Sequence, residues 1–406
     1  MQNAFQYGKL YDKMPIMFTR KLSLPNQSFF LFGPRGTGKS SWLKKTLPDA
    51  CWYDLLLERE YLKLLSSPDI LIQEVAALVE KGNLWVVIDE IQRLPKLLNS
   101  VHALIFKYEQ RVNFALSGSS ARKLKRNEAN LLAGRAVNRS MFPLIMEEMG
   151  YDTATENVLR YGALPRIATL VSEGDIGSAR DVLESYVVTY LREEIQQEAL
   201  TRSLDSFARF LRIAAVMNGQ IVSFTQTASD AAVARQTVTG YFQVLCDTLL
   251  GVLLPSWQPR AKVRESAHPK FYFFDPGVVR ALSGRLHEPL DSSEKGGLFE
   301  TWILHELRAW ISYARAGGEL FYWRTAGGIE VDFIWQRGDK AVAFEVKSGQ
   351  EWRPAFSKSL KNLSAATKIT ATYGIYDGER ERVDASVRVL PVKRFLKELW
   401  AGNILP

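Results

Sequence analysis

Residues 33–40 read GPRGTGKS, with the apolar run FFLF (29–32) before them and a helix-forming stretch stopped by Pro48 after them. Gly33, Gly38, Lys39 and Ser40 hold the G-x-x-x-x-G-K-[ST] spacing of a phosphate-binding loop between a strand and a helix. Glycines let backbone N–H groups turn inward around a polyphosphate, and the following helix points its positive end at the same anion. The reading makes Gly33, Pro34, Arg35, Gly36, Thr37, Gly38, Lys39, Ser40 and Ser41 a nucleotide cradle. Lys39 reaches the outer phosphates, and the Ser40 hydroxyl is a ligand for Mg2+.

A second buried strand is expected at 84–89, where LWVVID runs into Glu90. Two acids at the carboxyl end of an apolar strand form a Walker B pair: Asp89 holds the magnesium and Glu90 polarises the attacking water. The next strand, 112–116, leads into SGSS, where Ser117, ahead of Ser119, is the candidate contact for the terminal phosphate or the lytic water. Alternating strands and helices with ligand groups at strand ends predict a doubly wound α/β sheet.

A length of 406 residues implies two to four domains, and 47% hydrophobic with 24% charged residues is a globular balance. No run of about eighteen apolar residues is present and the first residues lack a signal-peptide core, so a cytoplasmic chain with no membrane partner is expected. Cys51 and Cys246 have no ligand-like spacing and predict neither disulfide nor zinc. The net charge of +8 favours a polyanionic partner, with DNA foremost.

With these motifs, the IDEIQ and LSGSS stretches, and LAGR (132–135) followed by FPL (142–144), the first 150 residues resemble the AAA-type ATPases of bacteria and archaea. The resemblance implies ATP as the nucleotide, a homo-oligomer that includes the hexameric ring as an option, and Arg135 as a finger on a neighbouring subunit's nucleotide. Lys123, Lys125 and Arg126 read as a solvated helix face. Residues 151–203 read as a helical lid and linker, in which Arg166 and Arg192 are both open as nucleotide sensors.

Residues 204–285 read as three short helices and a hairpin, the pattern of a winged helix-turn-helix. Its second motif helix would present Arg235, Gln236, Thr237 and Thr239 to a DNA groove, with Arg260, Lys262 and Arg264 at the wing tip. Residues 286–406 begin with an amphipathic helix carrying Glu300, followed by three short strands. Strand alternation places Glu330, Asp332 and Ile334 on one face, and gathers Asp332, Glu345 and Lys347 on adjacent strands with Glu300 reaching in.

Glu…Asp…Glu-x-Lys is similar to the active site of PD-(D/E)XK restriction-endonuclease-like enzymes. That likeness implies Asp332 and Glu345 as ligands for Mg2+ or Mn2+, Glu300 as a supporting acid and Lys347 as the electrostatic partner in DNA cleavage. A nucleotide-switched scaffold with an inert C-terminal domain is the alternative. The order of parts, 1–150, 151–203, 204–285 and 286–406, resembles bacterial ATPases with an uncharacterised nuclease-like C-terminal domain.

Overall fold

A computed structural model describes residues 18–119, 132, 134–190, 204–258 and 268–406. Lys123, Lys125, Arg126, Arg192, Arg260, Lys262 and Arg264 lie outside the described residues. Among the described residues, no helix is long and apolar enough to cross a membrane.

Five strands, β1 (Phe29–Phe32), β2 (Cys51–Asp54), β3 (Leu84–Asp89), β4 (Val112–Gly118) and β5 (Val137–Ser140), form a sheet in the order β2-β3-β4-β1-β5. All four pairings are parallel. Both faces are covered, which is why the strands read as continuous apolar runs. Phe30, Val86, Ile88 and Phe114 pack against the helices Asp69–Val79 and Leu97–Tyr108. Phe29, Leu31 and Val87 pack on the other face against Trp42 and Leu43 of the helix Lys39–Thr46. β1 lies between β4 and β5, so the loop leaving its carboxyl end opens at the point where strand order reverses.

The middle of the chain folds as helix Leu204–Val216, β6 (Gln220–Ile221), helices Phe224–Asp230 and Arg235–Asp247, then β7 (Gly251–Leu254) and β8 (Lys270–Phe273). The three strands form an antiparallel sheet in the order β6-β8-β7.

The last part opens with the helix Ser292–Tyr313, whose first turn is capped by Asp291 accepting from the Ser293 and Glu294 amides. Strands β9 (Glu319–Arg324), β10 (Glu330–Arg337), β11 (Lys340–Lys347), β12 (Ala371–Tyr376), β13 (Arg382–Asp384) and β14 (Val387–Pro391) follow, in the order β13-β14-β12-β11-β10-β9. β9, β10 and β11 are antiparallel neighbours, whereas β12 joins β11 in parallel after the helix Lys358–Ala366.

The modules share one interior. A single buried apolar cluster runs from Leu144 and Met146 through Phe210 and Phe242 to Phe333 and Phe395. Beyond β7, the Trp257 amide donates to the Tyr322 carbonyl (2.6 Å) and the Tyr322 amide to the Pro255 carbonyl (3.0 Å), tying the small sheet to the edge strand β9.

Candidate functional site

The phosphate loop follows β1 directly, and its glycines answer two steric demands. Gly36 and Gly38 have φ of 81° and 89°, where L side chains are strained. A Cβ on Gly33 would lie 2.3 Å from the Met141 carbonyl oxygen. Lys39 is buried, and its ammonium donates to the carbonyls of Gly33 (2.8 Å) and Pro34 (3.2 Å), so the loop satisfies its own lysine. The Thr37 hydroxyl donates to Pro34 O (2.8 Å). Ser40 is half-buried at the helix start, Ser41 is exposed and Arg35 is half-buried.

Two neighbours of the loop were invisible in sequence. The Tyr186 hydroxyl donates to the Arg35 carbonyl (3.1 Å), and its ring with Leu164 stands over Gly36, placing the helical segment after residue 150 against the loop. Arg20 donates to the Thr37 carbonyl (2.6 Å) and the Phe142 carbonyl (2.6 Å), and pairs with Glu148 (2.9 Å). Neither has a local pattern that would expose it, because the partners are distant in the chain and several of them are main-chain carbonyls.

At the end of β3, the Ser117 hydroxyl bonds to the Asp89 carboxylate and accepts from the Glu90 amide (3.2 Å). Glu90 leaves the strand in the left-handed region, φ 60°. Its carboxylate accepts from the Gln92 side-chain amide, which also donates to Ser119 Oγ (3.0 Å). The four groups therefore form two pairs, Asp89 with Ser117 and Glu90 with Gln92, on adjacent strand ends beside the loop. A hydroxyl at Ser40 and a buried carboxylate at Asp89 are hard oxygen donors that fit Mg2+. Arg135 is exposed on the segment before β5.

A second polar centre lies on the C-terminal sheet. Asp332 and Glu345 are buried, and Lys347 pairs with Glu345 (2.5 Å) and Asp332 (3.7 Å). The Val346 amide donates to Asp332 (2.7 Å) and the Ser359 hydroxyl to Glu345 (2.8 Å). Glu300 accepts from the Tyr272 hydroxyl (2.6 Å) and lies 3.5 Å from Lys270 Nζ, which pairs with Glu330 at 2.5 Å. Burial, then the Asp332 charge, pushes Glu300 up to about 7 and Glu345 up to about 8.

The expected grouping of Glu300, Asp332, Glu345 and Lys347 is present, with two differences. A bulge between Val331 and Ile334 breaks the alternation, so Val331 joins Ile334 in the core while Glu330 turns to Lys270. The acids are compensated by ammonium groups, and among the described residues no set of three His, Cys, Asp or Glu is arranged to hold a metal. As arranged, the cluster does not fit the Mg2+ or Mn2+ expected at Asp332 and Glu345. Lys270 and Tyr272 arrive from β8, a different module, which is why strand alternation alone did not find them.

At the start of the helix Arg235–Asp247, Arg235, Gln236 and Thr239 are exposed and Thr237 is half-buried. The Thr239 hydroxyl donates to the Arg235 carbonyl (3.1 Å), leaving the Arg235 side chain to solvent.

Comparison with known proteins matches three stretches of the chain. The AAA domain family matches residues 25–150, and two domains of unknown function match residues 153–288 (DUF8612) and 295–395 (DUF4143). With its strand order and loop, the first stretch has the fold of an AAA-type P-loop ATPase. The uncharacterized protein Rv2008c of Mycobacterium tuberculosis is 26% identical over 374 residues, 90% of this chain and 80% of its own. The uncharacterized protein MJ1544 of Methanocaldococcus jannaschii is 22% identical over 413 residues, 92% of this chain and 88% of its own. Among solved structures, the Aeropyrum pernix ORC2 protein (ADPNP-ADP complexes) has a TM-score of 0.36 at 14% identity, over 64% of this chain and 88% of that one. The replication initiator DnaA bound to AMPPCP and single-stranded DNA has a TM-score of 0.28 at 13% identity, over 55% and 83%. These two likenesses assign no role to any residue here.

Proposed function

We propose that the chain is a magnesium-dependent ATPase whose nucleotide state is passed to a DNA-binding module and a C-terminal domain. The observation that carries the reading is the set of Lys39, Asp89–Ser117 and Glu90–Gln92 gathered at neighbouring strand ends around one phosphate loop. Lys39 exchanges its two loop carbonyls for phosphate oxygens on binding, Glu90 orients the attacking water, and Ser117 keeps Asp89 in place. Ser40 and Asp89 hold Mg2+, which when bound supplies neutralising charge at the phosphate oxygens. Arg135 is the residue offered to a second subunit's nucleotide in a homo-oligomer. ATP turnover by the purified protein tests this: Lys39→Ala abolishes it, whereas Glu90→Gln retains ATP binding without turnover. Normal turnover by Lys39→Ala refutes the reading.

DNA is the proposed partner of the three-helix module. Support comes from the exposed Arg235, Gln236 and Thr239 at the amino end of one helix, and from the antiparallel sheet that follows it, the order of a winged helix. Binding should weaken steeply with salt, and Arg235→Ala should reduce the salt slope by about one. The second reading is a nucleotide-switched scaffold with an inert C-terminal domain, favoured by Lys347 pairing with Glu345 and Asp332 and by the Val346 amide and Ser359 hydroxyl that occupy the same two acids. Incubation of plasmid DNA with the protein and Mn2+ decides it. Intact plasmid supports the inert domain, and nicking that is lost in Asp332→Ala overturns it.

A further inference from the structure

We propose that Arg308 is the anion-binding floor of a second ligand site, distinct from the phosphate loop, that takes a small amphipathic molecule with an oxyanion head and an apolar body. Arg308 projects from the helix Ser292–Tyr313, and its guanidinium lies over the Phe142 ring, 5.4 Å from the centroid. Among the described residues it has no ion pair and no hydrogen bond. Arg308 is half-buried in the cleft wall, and desolvation pulls its pKa down to about 10, so the group stays charged at neutral pH. A half-buried guanidinium with no counter-charge keeps its N–H donors available to an oxyanion that enters the cleft.

The partner's place is a cleft of about 490 Å³ between three modules. Its walls are apolar, including Leu254, Leu304, Ile311 and Leu320, and Ser140, Ser312 and Arg308 are the polar residues that line it with Glu319. That volume, with an apolar lining and a few convergent polar groups, suits a small molecule. The planar fork of a guanidinium accepts an oxyanion through two parallel hydrogen bonds.

The field around the cleft has the same sign. Arg139, next to Ser140 on β5, has a buried Nε without a hydrogen-bond partner, and burial and the nearby Arg315 lower its pKa. Glu319 is the one carboxylate in the lining, and it is exposed at the mouth. A smaller cavity of about 30 Å³ places Arg308 and Phe142 against Gly33 and Pro34, so an occupant would sit behind the phosphate loop.

The test uses the full chain carrying Lys39→Ala, so that the phosphate loop's own anion affinity is suppressed, with inorganic phosphate and phenyl phosphate as probes. The thermal midpoint should rise with either probe, at lower concentration for phenyl phosphate, because mass action stabilises whatever binds the folded form. Adding Arg308→Met should weaken both responses by about tenfold or more, the scale of a lost charge-assisted pair. In buffer without oxyanions Arg308→Met should shift the midpoint little, since Met keeps the aliphatic packing and no ion pair or hydrogen bond among the described residues is lost. Leu304→Ala should erase the advantage of phenyl phosphate and leave the phosphate response. If Arg308→Met does not fold, Arg308→Lys decides: a response several-fold weaker than the parent's supports the site, and an equal response overturns it. No response in the parent, or an undiminished one in Arg308→Met, also overturns it.

Discussion

Arg20 and Tyr313 meet at 3.3 Å, and the same guanidinium donates to the Thr37 carbonyl of the phosphate loop at 2.6 Å. One side chain thus ties the nucleotide loop to the last turn of the helix Ser292–Tyr313. Glu300 lies thirteen residues earlier on that helix, about 20 Å along its axis. The Tyr313 hydroxyl also accepts from the Phe142 amide (3.2 Å). Tyr313→Phe removes this acceptor and should cost about 1 kcal/mol, the worth of a typical hydrogen bond at a part-buried donor. It should also weaken ATP binding several-fold, although the tyrosine belongs to the C-terminal module. Calorimetric titration with ATP checks this, and an unchanged affinity would mean that the loop is held without help from the helix.

Gly33 is a steric requirement. A methyl group there would stand 2.3 Å from the Met141 carbonyl oxygen, a main-chain atom that cannot swing aside. Gly33→Ala should therefore lower stability by at least about 1–3 kcal/mol, as overpacking does, and lower ATP affinity with it. Gly174→Ala is the contrast, since a Cβ there meets nothing within 4 Å and only the positive φ of 80° opposes it. Thermal melts of the two variants should differ clearly; equal midpoints would contradict the packing argument.

Gln92 engages the carboxylate that the proposed chemistry needs free. Its amide donates to Glu90 and to Ser119 Oγ (3.0 Å), while a Cβ on Gly118 would crowd the Gln92 carbonyl at 2.7 Å. Gln92→Ala should release Glu90 and raise basal ATP turnover by a few-fold, because the carboxylate no longer exchanges an amide partner for water. Steady-state turnover at saturating ATP reads this directly. A fall in kcat would show instead that Gln92 positions Glu90 for the reaction.

The ATPase sheet was legible because its buried parallel strands are unbroken apolar runs, and because glycines, Lys39, Asp89 and Glu90 stand at fixed distances from strand ends. The grouping of Asp332, Glu345 and Lys347 was legible from the two-residue period of β11. Three things were not. A bulge at Val331–Ile334 adds a residue that alternation cannot count. Lys270 and Tyr272 reach Glu300 from a strand that pairs within another sheet. Arg20 reaches the loop through main-chain carbonyls, which leave no trace in residue types, and its side-chain partners Glu148 and Tyr313 are distant in the chain.

The junction between the ATPase core and the long helix should weaken in acid through His305. The His305 ring lies 3.0 Å from the Leu144 carbonyl, and burial pulls its pKa down to about 4. Between pH 6.5 and 4 the unfolded chain takes up a proton that the folded chain refuses. Its contribution is therefore full above pH 6.5 and is lost as pH falls toward 4, by a few kcal/mol at most, on the order of 1.4 per unit. Glu306, held up at about 7 by burial, acts with the opposite sign, favouring the folded state at lower pH. Comparing the protein with His305→Gln, which keeps an N–H donor but does not titrate, isolates the histidine. Urea midpoints at pH 7 and 4.5 should fall less in the variant; an equal fall assigns the acid sensitivity elsewhere.

Lys270 and Glu330 fasten β8 to β10, and their energetics follow from where each sits. The lysine side chain is 4% exposed and the glutamate 26%, with 2.5 Å between the charged atoms. Removing the ammonium alone leaves the half-buried Glu300 with only the Tyr272 hydroxyl and Glu330 with only the exposed Arg324 at 3.4 Å, so Lys270→Met should destabilise by about 1–3 kcal/mol. Glu330→Gln alone should cost less, because Glu300 at 3.5 Å still pairs with Lys270 and water reaches the site. In the double variant the ammonium and one carboxylate go together, so the loss should be smaller than the sum of the two singles by about 1 kcal/mol or more. Denaturant unfolding of the four proteins gives that coupling. A sum that is simply additive would mean that the pair contributes packing alone, and that β8 and β10 are joined by the apolar contacts around Tyr322 rather than by charge.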